Sequence, residues 1–163
     1  ADKRIFKPLN MNETFFSDKP TEIVKNRASG YKLDDDEGYV TDMTNLFWVG
    51  DGGLHTTVED MVKWDQNFYQ PKVGKNPSAI LALFNSPNSQ LDFRGGLYAN
   101  GQLIGNKNGK TVYSHGGGWL GVSTFYERYP DLQFSSIIMC NSVSEKPWKY
   151  ADKISELYIN HKG

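Results

Sequence analysis

The spacing of hydrophobic and polar positions changes partway along the chain, and that change organises it. Residues 2–7 place Ile5 and Phe6 in a helical spacing that must stop before Pro8. Residues 8–27 are mixed and polar and read as loop. Ala28 to Leu33 reads as a short strand, followed by the acidic turn Asp34-Asp35-Asp36-Glu37-Gly38. Gly50-Asp51-Gly52-Gly53 reads as a tight turn. Thr57-Val58-Glu59-Asp60 is a helix start, with a hydroxyl cap and carboxylates in the first turn, where the helix dipole favours them. Val58, Met61, Val62, Phe68 and Tyr69 then share one helical face, and Pro71 ends the run. Asn76-Pro77 caps a second short helix, Ser78 to Phe84.

From Gly95 the period becomes that of strands. Leu97 to Ile104 and Lys110 to Ser114 are joined through Asn108-Gly109, a hairpin signal. Val122 to Tyr129 and Phe134 to Cys140 are joined through Pro130-Asp131. The expected result is an antiparallel meander of about four to five strands. A last helix runs from about Pro147 to Asn160, with Trp148, Ala151, Ile154, Leu157 and Tyr158 as its apolar stripe. The order predicts an α+β fold: helices and loops over 1–94, a sheet over 95–141, then a packing helix.

Composition narrows the function. The 163 residues carry a net charge of −1, so no basic excess is present to hold a phosphate backbone, and nucleic acid is not an expected partner. The apolar runs, such as Ile80 to Phe84 and Ile137 to Cys140, are far below a membrane-spanning length. The single cysteine, Cys140, lies in such a run and reads as a buried thiol. The opening Ala1-Asp2-Lys3-Arg4-Ile5-Phe6 reads as the end of a helix already under way. The expectation is a single C-terminal piece, 1–163, of a longer polypeptide.

The chemistry-bearing stretch is Tyr113-Ser114-His115-Gly116-Gly117-Gly118-Trp119-Leu120-Gly121. A β-branched and aromatic run leads into a histidine and three glycines, and another strand follows. Glycines at a strand edge remove side chains and let another molecule approach the backbone. His115, Gly116, Gly117 and Gly118 are therefore the candidate floor of a binding site.

Three ordered motifs carry a resemblance. Ile5-Phe6-Lys7-Pro8-Leu9-Asn10-Met11-Asn12-Glu13-Thr14-Phe15-Phe16 resembles a stretch of the serine β-lactamase-like proteins, with Asn10 where glycine is usual. That group holds class C β-lactamases, D-alanyl-D-alanine peptidases and esterases related to penicillin-binding proteins. Gly50-Asp51-Gly52-Gly53-Leu54-His55-Thr56-Thr57-Val58-Glu59-Asp60-Met61 is similar to the family's Gly-Gly-Leu helix start. His115-Gly116-Gly117 looks like its third active-site motif. The resemblance implies a serine nucleophile in Ser-x-x-Lys, a Tyr-x-Asn proton relay, and acyl transfer followed by hydrolysis of an amide, β-lactam or ester. A neutral hydroxyl needs a base, and a developing oxyanion needs preplaced donors. It also implies that His115 lines the cleft and that the Gly118 N–H donates to the oxyanion. No metal or organic cofactor is implied, and the expected location is periplasmic or otherwise exported.

In that family both missing motifs precede the segment that here begins at Ile5. No catalytic residue is assigned within this chain, and the nucleophile is expected upstream of residue 1. The expected partners are that N-terminal part, a small-molecule or peptide acyl substrate, and a second copy through exposed apolar surface. A non-catalytic binding or scaffolding module on the same fold is the alternative.

Several other patterns read as structural. Ser29-Gly30-Tyr31-Lys32 falls on a strand, whereas Ser-x-x-Lys chemistry needs one helical turn. Tyr98-Ala99-Asn100 is expected in the strand beside that of His115. Gly105 to Thr111 is one residue short of a phosphate loop and joins two strands. Asp34 to Glu37 lacks the alternation of a Ca²⁺ loop. His55 reads as a loop or cap residue and His161 as a solvated helix end. For Trp48, Trp119 and Tyr126, a pocket role and a core role stay open.

Overall fold

The computed structural model describes residues 1–43, 49–50, 52–93 and 96–162, and the side chains of 88–93 and 162 lie outside that description. Trp48 and Asp51 fall outside it. The elements are β1 (Phe15–Phe16), β2 (Tyr31–Asp34), β3 (Gly38–Thr41), β4 (Leu54–His55), α1 (Val58–Gln66) and α2 (Pro77–Asn85). Then come β5 (Asn88–Phe93), β6 (Gly96–Ala99), β7 (Gln102–Lys107), β8 (Lys110–Trp119), β9 (Val122–Tyr129), β10 (Phe134–Cys140) and α3 (Pro147–Lys162). Helices and antiparallel strands make the fold α+β. The chain packs as two compact units: Ala1–Ile23 with Asn45–Asp92 and Leu97–Asn100, and Val24–Thr44 with Phe93–Gly96 and Gly101–Gly163.

The first unit begins with a wide helical turn, Asp2–Phe6, in which the Lys7 N–H reaches the Asp2 carbonyl five residues back. Phe6, Leu9 and Met11 form its buried core, with Ile5, Trp64 and Val73 packed against them. Asn10 lies at φ +57°. Glycine tolerates that left-handed region without strain and asparagine is among the few other residues that visit it, which accounts for the substitution in the first motif. The expected loop over 8–27 contains β1, whose residues pair with β4 in the register Phe15↔His55 and Phe16↔Leu54. Two-residue strands carry too little periodicity to be read from sequence.

Helix α1 is capped as expected: the Thr57 side chain accepts from the Asp60 N–H. The expected apolar face is corrected. Val58 and Val62 are exposed, Phe68 and Tyr69 follow the helix end, and the helix's buried residue is Asp60. Trp64 and Phe68 pack edge-on at 5.5 Å, and Phe84 of α2 completes the cluster at 6.1 and 6.4 Å from them. Such pairs add about 0.5–1.5 kcal/mol each beyond area burial.

The second unit is a meander in the order β10-β9-β8-β7. The expected strand Leu97 to Ile104 is broken. Asn100 (φ +48°) and Gly101 (φ +87°) make a turn between β6 and β7, the same Asn-Gly pair that turns the chain at 108–109. Tyr98 therefore sits on β6, and the strands beside His115's strand are β7 and β9. Gln133 (φ +47°) closes the β9–β10 connection after Pro130–Leu132.

Side chains alternate between faces. Leu103, Lys107, Glu127, Tyr129, Phe134 and Ser136 share the face on which α3 packs. Phe134 stacks on Tyr158 at 4.1 Å, and Lys107 binds the Asp152 carboxylate at 2.7 Å and the Ser155 hydroxyl at 2.8 Å. The α3 stripe is corrected in the same sense as that of α1. Pro147, Ala151 and Ser155 are buried, whereas Trp148, Ile154 and Leu157 are exposed. Small residues let the helix lie close to a sheet already filled by Tyr129 and Phe134.

Candidate functional site

The third motif lies inside a strand that runs on past the expected end at Ser114. Register between β7 and β8 stops at Leu103↔Ser114, while register between β8 and β9 continues to Trp119↔Val122. Among the described residues, His115 to Trp119 is thus held from the β9 side. Alternate residues of a strand direct N–H and C=O to opposite sides, so Gly116 to Gly118 present backbone donors and acceptors along the edge away from β9. His115 and the three glycines are exposed.

Cross-strand pairs give the face. His115↔Tyr126, Gly117↔Thr124 and Trp119↔Val122 lie with Tyr113↔Arg128 on the face opposite α3. Arg128 is buried there, its guanidinium 4.6 Å from the centre of the Tyr113 ring and donating to Gln102 Oε1 at 3.2 Å. The glycines differ in what holds them. A Cβ on Gly117 would stand 2.6 Å from Thr124 Oγ1, whereas one on Gly116 or Gly118 would meet only ordinary contacts of 3.6–3.9 Å. Among the described residues, nothing excludes a side chain at Gly116 or Gly118, so their bareness leaves room for another molecule. Trp119 is exposed and Tyr126 half-buried.

The two-residue loop after Trp119 is pinned within the same unit. Gly121 N–H donates to Asp42 Oδ2 at 2.9 Å, Tyr31 N–H to the Gly121 carbonyl at 3.2 Å, and Asp42 N–H to the Gly30 carbonyl at 2.8 Å. Gly30 is thus a packing position. Ser29 precedes strand β2 on non-helical backbone, its carbonyl accepting from the Asn141 amide at 3.1 Å, and Lys32 is exposed on β2. Ser29 and Lys32 do not form a helical Ser-x-x-Lys pair.

The first two motifs meet at Asp60, a residue that sequence spacing marks only as a first-turn acid. Its carboxylate, 1% exposed, accepts from the Glu13 N–H and the Thr14 hydroxyl at 2.8 Å each and from Lys63 Nζ at 2.7 Å. Lys63 also donates to the Asn10 carbonyl at 2.6 Å. Burial opposes ionisation of Asp60, but these donors outweigh it and hold the carboxyl below the usual aspartate value. These motifs are a structural lock.

The remaining candidates separate readily. His55 is corrected: it is strand-paired in β4 and stacked on Phe15 at 5.1 Å. His161 is an exposed helix-end residue with Nδ1 2.8 Å from the Leu157 carbonyl. Asp34 accepts from the N–H groups of Asp36 and Glu37, and these bonds lower its pKa. Gly105 to Thr111 is a strand–turn–strand in which Asn106 Oδ1 accepts from the Gly109 N–H. Among the described residues, no group of three or more His, Cys, Asp and Glu side chains is arranged to hold a metal ion. Nor is any helix long and apolar enough to cross a membrane.

One unit carries a sheet strand ending in His-Gly-Gly-Gly, the other a helical region locked by Pro-Leu-Asn-Met and Thr-Thr-Val-Glu-Asp-Met, and together these motifs define a class. The chain belongs to the Beta-lactamase family, whose model matches residues 1–157. That makes it a member of a hydrolase family. It is similar to the D-aminopeptidase of Brucella ovis, at 26% identity over 139 residues, covering 85% of this chain and 26% of the relative. The chain thus spans about a quarter of the length of the curated relatives it matches. Among solved structures it matches the octameric penicillin-binding protein homologue of Pyrococcus abyssi (TM-score 0.83, 23% identity, 98% of this chain and 36% of that one). It also matches the D-amino acid amidase of Ochrobactrum anthropi SV3 (TM-score 0.71, 17% identity, 99% and 52%). At these identities the structural likeness shows the fold.

Proposed function

We propose that residues 1–163 form the substrate-docking part of a serine hydrolase that cleaves an amide or peptide bond next to a D-amino acid residue. The observation that carries the reading is the exposed edge His115–Gly118, where pairing with β7 has stopped and pairing with β9 has not. An extended substrate lies along that edge and exchanges backbone hydrogen bonds with it, as an added strand does. His115 lines the cleft. The N–H of Gly118 donates to the oxyanion of the tetrahedral intermediate. The nucleophilic serine and its proton relay lie outside this chain, in a longer polypeptide that is its covalent partner. The D-amino acid class comes from the relatives, which are named D-aminopeptidase and D-amino acid amidase.

The experiment is a comparison of D- and L-alanine p-nitroanilide hydrolysis by the polypeptide that contains these residues. Cleavage of the D-isomer that drops about ten-fold or more in His115→Ala supports the reading. Absence of turnover, or turnover indifferent to His115, refutes it. The exposed Trp148, Ile154 and Leu157 of α3 support self-association of the isolated chain. A monomer throughout the micromolar range in light scattering contradicts that part.

A further inference from the structure

We propose that the Thr124 hydroxyl is a specificity-determining contact of this site, hydrogen-bonding to an amide or ammonium group that the acyl substrate presents over Gly117. The inference rests on the reading of the His115–Gly118 edge given above and adds to it a side chain that the motif does not contain.

Register places Thr124 directly across from Gly117, on the face that carries His115. Its Oγ1 lies 2.6 Å from the point where a Gly117 Cβ would stand. The hydroxyl thus fills the space that a β8 side chain would otherwise take, and it becomes the polar group at that point of the floor. Thr124 is half-buried, and among the described residues its hydroxyl has no hydrogen-bond partner. A hydroxyl partly removed from water gains most from a partner that arrives with a ligand. It offers one donor and two acceptor positions, so it accepts from an amide or ammonium N–H while keeping a proton to donate. Its β-branched χ1 is stiff, so little freedom is lost when the bond forms.

A packing role makes a different prediction, because valine has nearly the same shape. The test uses the full-length polypeptide with D-alanine amide as substrate, comparing Thr124→Val and Thr124→Ser. Loss of one hydrogen bond raises KM about ten-fold in T124V with kcat within about two-fold, and T124S retains KM within about two-fold. Unchanged kinetics in T124V overturn the inference while leaving the reading of the edge intact. Equal losses in both variants overturn it too, because T124S keeps the hydroxyl and the hydroxyl would then not be what counts. No turnover by the unsubstituted polypeptide overturns the underlying reading, and this inference with it. Unfolding temperatures of both variants, expected to match the unsubstituted protein, separate a lost contact from a lost fold.

Discussion

Gly30 and Gly121 touch backbone to backbone. A Cβ on Gly121 would stand 2.6 Å from Gly30 Cα and collide with the Asp42 carbonyl oxygen, and Gly121 itself lies at φ +70°. The loop that ends the His-Gly-Gly-Gly strand is thereby fixed against the segment leading into β2. The position of the candidate site depends on a contact that has no side chain in it.

Gly121→Ala should therefore destabilise the fold by about 3 kcal/mol or more, combining a left-handed conformation with a clash against backbone. Gly109→Ala is the control. It shares a positive φ of +77° but meets nothing within 4 Å, so it should cost about 1 kcal/mol. Urea unfolding of the two variants checks this, and equal losses would remove the role assigned to the Gly30 contact.

Asp60 gives a pH dependence. Its folded pKa is depressed, so its stabilisation is fully present above the unfolded value of about 3.9 and is lost as pH falls through the lower folded value. Asp60→Asn should cost about 2–4 kcal/mol at pH 7 by leaving Lys63 and the Glu13 and Thr14 donors poorly matched. The gap should narrow as pH falls through the lower folded value, where the native carboxylate is neutralised as well. Chemical unfolding in a series from pH 7 downwards through the acid range measures it, and a gap that stays constant throughout would contradict the lock.

Glu127 behaves in the opposite sense. Burial beneath α3 is the main cause of its raised pKa, partly offset by the nearby Lys107 charge and the Tyr129 hydroxyl, which donates at 3.1 Å. With a raised folded pKa, its contribution is complete below the unfolded value of about 4.3 and is lost as pH rises through the folded one. Glu127→Gln should match the native protein at pH 4 and exceed it in stability increasingly as pH rises through the folded value, up to pH 8 at most. Thermal unfolding across that range is the check, and a gap that shrinks with rising pH would show that the Lys107 attraction dominates instead.

What the sequence revealed and what it hid have physical causes. Caps at Thr57 and Asn76 were legible because they use local side-chain chemistry. The Asn108-Gly109 turn was legible for its positive φ requirement, and Asn100-Gly101 carries the same signal inside a run whose alternation continues across it. The buried faces of α1 and α3 were not legible. Asp60 and Ser155 are polar, and they are buried because partners distant in sequence satisfy them. His115 to Gly118 stood out as a floor, yet Thr124 needed the register: a two-residue loop after Trp119 sets it opposite Gly117.

The central claim is that the edge His115–Gly118 serves a serine lying outside residues 1–163. The most direct measurement is peptide mapping, by mass spectrometry, of the full polypeptide after reaction with a fluorophosphonate and, separately, with a reactive β-lactam. The account predicts one stoichiometric adduct, on a serine beyond these residues, unaffected by Ser29→Ala. An adduct on Ser29 or any other serine within residues 1–163, or no adduct at all, would contradict it.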